Sequence, residues 1–137
     1  MTAPHPVHAT GVPVLALGET LLVSLQGELH DGMAEQLQQD ISHRIAGSRA
    51  NGVIIDISGV EVVDSFLGRT LAEIAASASL LAARTVVAGM RPAVAITLVE
   101  LGLTLPGLTT ALDVDRALEL LTRRSTPSAS DGREKGT

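Results

Sequence analysis

Gly52-Val-Ile-Ile-Asp-Ile-Ser-Gly-Val-Glu-Val-Val-Asp-Ser-Phe-Leu67 is the stretch that decides the fold of this chain. Val53–Ile57 is β-branched at nearly every position, the pattern of a central strand covered on both faces. A short turn follows, and Asp64-Ser65 then stands where the next helix opens. A hydroxyl at a helix N-terminus lies among free backbone N–H groups, at the positive end of the helix dipole. Phosphorylation there adds about −1.5 to −2 charges at neutral pH, in a place that tolerates them. Ser65 is therefore a candidate switch. The competing reading is that Asp64 or Ser65 only caps the helix, and the local pattern alone favours that one.

Outward from this stretch, strands and helices alternate. Pro13–Leu17 and Thr20–Leu25 are two short apolar runs around Gly18-Glu19, the form of an antiparallel hairpin. Met33, Leu37, Ile41 and Ile45 recur every four residues and predict a helix from about Asp31 to Ser48, closed by Asn51-Gly52. Leu67, Leu71, Ile74, Ala78 and Leu81 step by four and three along a second amphipathic helix. Arg84–Ala88 reads as a strand ending at Gly89, and Pro92 suits the first position of a short helix. That helix carries Val94, Leu98 and Leu101 on one face, with Gly102 at its C-terminal end. Leu108–Leu112 is the last strand, and Asp113 caps a final helix with Val114, Ala117, Leu118 and Leu121. The order β-β-α-β-α-β-α-β-α predicts an α/β fold: a mixed, mainly parallel sheet covered by about four helices.

Composition sets limits. A chain of 137 residues is sized for one domain that buries its own core. Apolar residues make up 45%, yet Phe66 is the only aromatic side chain, so the core must be Leu, Ile, Val and Ala. With no Cys there is neither a disulfide scaffold nor a thiolate ligand or nucleophile. A net charge of −5 argues against general nucleic-acid binding. No apolar run approaches the roughly 18 residues of a membrane span, and Met1–Gly11 lacks a signal-peptide core, so a cytoplasmic chain is expected. Residues 1–11 and 125–137 hold almost no large apolar residues and are expected to be a disordered head and tail around a domain over 12–124.

Catalytic chemistry is not evident. No Gly-x-Gly-x-x-Gly or Gly-x4-Gly-Lys-Ser/Thr loop is present, and Ser65 lacks the flanking glycines of a nucleophile elbow. His5 and His8 lie in the head, while His30 and His43 fall at the start and on the polar side of the first helix, as solvated residues do. Asp56, Glu61 and Asp64 sit near one strand end, where acidic residues usually act as caps or solvated turns rather than metal ligands. The chain is expected not to be an enzyme, with no catalytic residue, cofactor or metal.

Gly52-Val-Ile-Ile-Asp-Ile-Ser, Val62-Val-Asp-Ser-Phe, Gly89-Met-Arg-Pro-Ala-Val-Ala-Ile-Thr-Leu-Val-Glu-Leu-Gly102 and Thr109-Thr-Ala-Leu-Asp113 carry a resemblance. Together they resemble the STAS domains of anti-sigma-factor antagonists, and most closely the RsbS-type scaffold subunits of the bacterial stressosome; Leu22–Asp31 fits as well. The resemblance implies a non-enzymatic signalling scaffold that assembles with a larger sensory STAS paralogue (RsbR-like) into a large complex. That complex holds a serine/threonine kinase (RsbT-like), which leaves after phosphorylating the serine of Asp-Ser-Phe, and a phosphatase (RsbX-like) resets it. Carried over, the phosphoacceptor is Ser65, flanked by Asp64 and Phe66. Sporulation-type antagonists usually show Asp-Ser-Ser-Gly here and the sensory paralogues Asp-Thr, so Phe66 and Ser65 favour the scaffold.

Two alternatives stay open. One is a single-domain antagonist that binds an anti-sigma kinase directly. The other is a small-ligand-binding STAS domain holding an anion or nucleotide at the turn around Asp56–Asp64, with Arg69 and Arg91 as the nearest bases. The lack of Lys or Arg within Val53–Leu67 weighs against the latter. Finally, Ala93–Leu105 is apolar nearly all round, so Ile96, Val99 or Leu103 must face either a second STAS domain or the final helix.

Overall fold

The hairpin expected at the start is present: β1 (Val14–Leu17) turns at Gly18, which has φ +61°, into β2 (Thr20–Gln26). The computed structural model describes residues 12–27, 29–103 and 108–125. The elements that follow are α1 (Asp31–Ala46), β3 (Gly52–Gly59), α2 (Ser65–Leu80), β4 (Arg84–Ala88), α3 (Pro92–Glu100), β5 (Leu108–Ala111) and α4 (Val114–Ser125). They form a five-stranded sheet in the order β1-β2-β3-β4-β5, antiparallel between β1 and β2 and parallel elsewhere. Head and tail lie outside the described residues, although α4 runs one residue past the expected limit at Arg124.

β3 is the centre of the sheet, and Val53, Ile54, Ile55 and Ile57 on it are 0% exposed. Each such side chain contributes about 1.5–3 kcal/mol by leaving water. Alternation sends Val53, Ile55 and Ile57 into the core under α1, α2 and α3, where they meet Leu37, Ile41, Leu71, Ile74, Val94 and Leu98. Ile54 points to the other face and packs with Val86, Ala88, Ala117 and Leu121 beneath α4. A Cβ on Gly52 would lie 2.8 Å from a methyl of Leu121, so a side chain there would displace the Leu121 tip that α4 lays on the strand.

Two apolar residues depart from the expected faces. Leu81 and Leu101 are 38% and 45% exposed, because α2 and α3 each end one residue earlier. Both helices close by the same device, in which a left-handed residue turns the chain and the last carbonyls accept from the next two N–H groups. In α3 that residue is Gly102, at φ +72°, and the N–H of Leu103 donates to Leu98 O. In α2 it is Ala82, at φ 64°, with Ala83 N–H donating to Ala78 O. Among the described residues, no helix is long and apolar enough to cross a membrane.

Candidate functional site

The carboxyl ends of the parallel strands, where α2 and α3 begin, gather the residues singled out above. After β3 the chain turns through Val60, whose side chain is buried and whose N–H donates to Ile57 O at 3.0 Å. Glu61 and Val62 are exposed, Val62 by 68%. Asp64 then takes an extended conformation (φ −136°, ψ 178°) and its carboxylate Oδ1 accepts from Leu67 N–H at 3.0 Å. That is an N-cap bond, so Asp64 is the cap.

Ser65 is the first residue of α2 and is half-buried. Its hydroxyl has no hydrogen-bond partner among the described residues. The capping reading left two residues open, and geometry assigns the role to Asp64. Among the described residues Ser65 Oγ is left uncommitted, at the positive end of a 16-residue helix where negative charge is favoured. Phe66 is half-buried and lines a cavity of about 160 Å³ with Val12, Leu29, Met33, Val60 and Leu67. The register of β2 against β3 shifts between Ser24 and Gln26, and Leu25, Gln26 and Gly27 line the same cavity.

The first turn of α2 is also clamped from the side. Gly68 is buried, and a Cβ there would collide with Leu103 Cδ1 and lie 3.2 Å from Leu98 Cδ2. The chain leaving α3 therefore lies directly on the helix that starts with Ser65. Beside it, Gly89 (φ +75°) passes so close to β3 that a Cβ would fall 2.9 Å from Ser58 Cβ. Arg91, the N-cap of α3, donates to Ser58 O at 3.0 Å.

Ligand-binding chemistry looks different. Asp56 accepts from Ser58 N–H at 3.0 Å, closing a local turn, and Glu61 is solvated. The recess next to them is lined by Asp56, Asp113 and Asp115 without a basic side chain, which repels anions. Asp113 there caps α4, accepting from Arg116 N–H at 2.8 Å. His30 precedes α1 without a side-chain cap bond, and His43 is exposed.

A family model for the STAS domain matches residues 12–117. The chain belongs to the STAS domain family. Among solved structures, this STAS domain is similar to a serine-to-glutamate variant of Moorella thermoacetica RsbS, with 40% identity and a TM-score of 0.74, covering 85% of this chain and 98% of that one. A chain from the molecular architecture of the stressosome, a signal integration and transduction hub, is 41% identical with a TM-score of 0.74, covering 84% of this chain and all (100%) of that one. Among curated proteins, the RsbT co-antagonist protein RsbRB of Bacillus subtilis is 29% identical over 107 residues, which are 77% of this chain and 39% of that protein. The chain spans about two-fifths of the length of the curated relatives it matches. It is an anti-sigma-factor-antagonist type of STAS domain, close to the RsbS structures.

One question posed by the sequence has an unexpected answer. α4 packs on β3, β4 and β5 from the opposite side of the sheet, so it does not bury the outer face of α3. Leu103 turns inward against the core, while Ile96 and Val99 stay 58% and 74% exposed. The Gly68–Leu103 contact and the cavity beside Phe66 were not visible in the sequence, since both depend on how separate elements pack.

Proposed function

We propose that this STAS domain is an RsbS-like scaffold subunit of a stressosome-type complex in the cytoplasm, switched by phosphorylation of Ser65 in a general stress response. The observation that carries this reading is the likeness to RsbS over nearly the whole of that chain, joined to a hydroxyl on the first residue of α2 that has no partner among the described residues. The chain is the acceptor and not the catalyst. An RsbT-like kinase held by the complex would transfer the γ-phosphoryl group of ATP to Ser65 Oγ, which loses its proton as ADP departs. The added dianion sits favourably at the helix N-terminus yet changes the surface that the kinase has to grip.

An RsbR-like sensory paralogue is the assembly partner, and an RsbX-like phosphatase returns Ser65 to the free hydroxyl. The exposed Ile96 and Val99 on α3 supply an apolar face for STAS–STAS contact, in the chain itself or with the paralogue. Sedimentation of the pure chain, alone and with the paralogue, tests the scaffold. Self-association or a defined large particle is expected. A clean monomer at every concentration, unchanged by the paralogue, contradicts the reading.

A further inference from the structure

On α2 the residue one turn beyond Ser65 is Arg69, and one turn beyond that is Glu73. Side chains four apart on a helix are neighbours, with Cβ atoms about 5–6 Å apart, and each leans toward the helix N-terminus. Arg69 thus has two natural partners along its own row. Glu73 turns toward α1, where its Oε1 accepts from Gln38 Nε2 at 2.9 Å. Arg69 is exposed and makes no hydrogen bond or ion pair with any described residue. Among the described residues this guanidinium is uncommitted, and Ser65 is the neighbour on its row toward which it leans.

We infer that Arg69 is the built-in receptor for the phosphate of phospho-Ser65, closing over it as a forked, charge-assisted pair within the first two turns of α2. Arg suits this task because its planar fork matches phosphate oxygens and it never loses its charge. Leaning toward the N-terminus, it approaches the phosphate from the helix side, while Asp64 keeps its cap bond to Leu67 N–H from the turn side. The pair lowers the net charge that a docked partner meets, favours the dianion and holds the phosphate in one orientation. Phosphorylation would then be registered as an ordered surface and not only as added charge.

This inference rests on Ser65 as the phosphoacceptor, but its test does not need the kinase. Phosphoserine is inserted at position 65 of the full chain during translation, and the phosphate is titrated by 31P NMR. A free phosphoserine has a second pKa of about 6. Glu61 and Asp64 on the turn and Glu73 on the helix raise that value, and they are the same in every variant compared. Arg69→Gln should raise the phosphate pKa above that of the Arg69 chain by about 0.3–0.5 unit. Arg49→Gln, which removes the same charge from an exposed residue beyond the end of α1, should leave it unmoved. A rise below about 0.2 unit for Arg69→Gln, or an equal rise in both variants, overturns the inference. Failure of a kinase to label Ser65 would instead sink the functional reading and leave this titration untouched.

Discussion

Asp64→Ala and Ser65→Ala, compared side by side, test the division of labour at the start of α2. Asp64→Ala removes the oxygen that accepts from Leu67 N–H at 3.0 Å, so one donor of the first turn loses its partner. Such losses cost about 1 kcal/mol, within a range of about 0.5–2. Removing a carboxylate from the positive end of a 16-residue helix adds about 0.3 kcal/mol at low salt. Ser65→Ala removes a hydroxyl without a partner among the described residues and puts the strongest helix former in its place. Its effect should stay within about 0.5 kcal/mol of zero. In thermal terms, Asp64→Ala should lower Tm by about 4 °C and Ser65→Ala by less than about 2 °C. The chain has no Trp or Tyr, so urea and thermal unfolding are followed by far-UV circular dichroism. If Ser65→Ala is as destabilising as Asp64→Ala, the Ser65 hydroxyl is a structural cap and the argument for its availability fails.

Thr85 is 2% exposed and its Oγ1 has no hydrogen-bond partner among the described residues, so Thr85→Val should raise stability by about 1 kcal/mol, read from the urea midpoint. A fall would mean that the hydroxyl is paired. Ala82 closes α2 at φ 64°, a conformation that costs an L-residue about 1–2 kcal/mol; Ala82→Gly should gain about 0.5–1 kcal/mol despite the freer unfolded chain. Ile96→Glu with Val99→Glu should leave the urea midpoint of the monomer nearly unchanged and abolish association in the ultracentrifuge, because both side chains point into solvent in the free chain. Association that survives the pair would move the contact elsewhere.

The order of elements was legible from their periods: four-residue steps in α1, alternating steps of four and three in α2, and β-branched runs in β3 and β4. The closing glycine of α3 and the cap of α4 were legible for the same reason, being local chemistry. The cap of α2 was not. Asp and Ser are both preferred at that position, and only the backbone angles of Asp64 choose between them. Leu81 and Leu101 continue the apolar period one step past the helix, so a pattern that extends beyond a left-handed turn misplaces them. Nor does the amphipathic pattern of α4 say which face of the sheet it covers; in the structure it lies over Ile54, Val86 and Ala88. Arg69 reads as an ordinary surface base in the sequence, and only the structure shows it without a partner among the described residues, one turn from Ser65.

The central claim is that Ser65 receives phosphate from a kinase held by the complex. Incubating the full chain, its RsbR-like paralogue and the RsbT-like kinase with ATP, then mapping phosphosites by mass spectrometry and measuring kinase retained on the particle, addresses it in one experiment. The account predicts a single dominant site on this chain, at Ser65, with kinase release in step with labelling. It also predicts neither labelling nor release in a well-folded Ser65→Ala. Labelling that persists in Ser65→Ala, or release of the kinase without phosphate on Ser65, would contradict it.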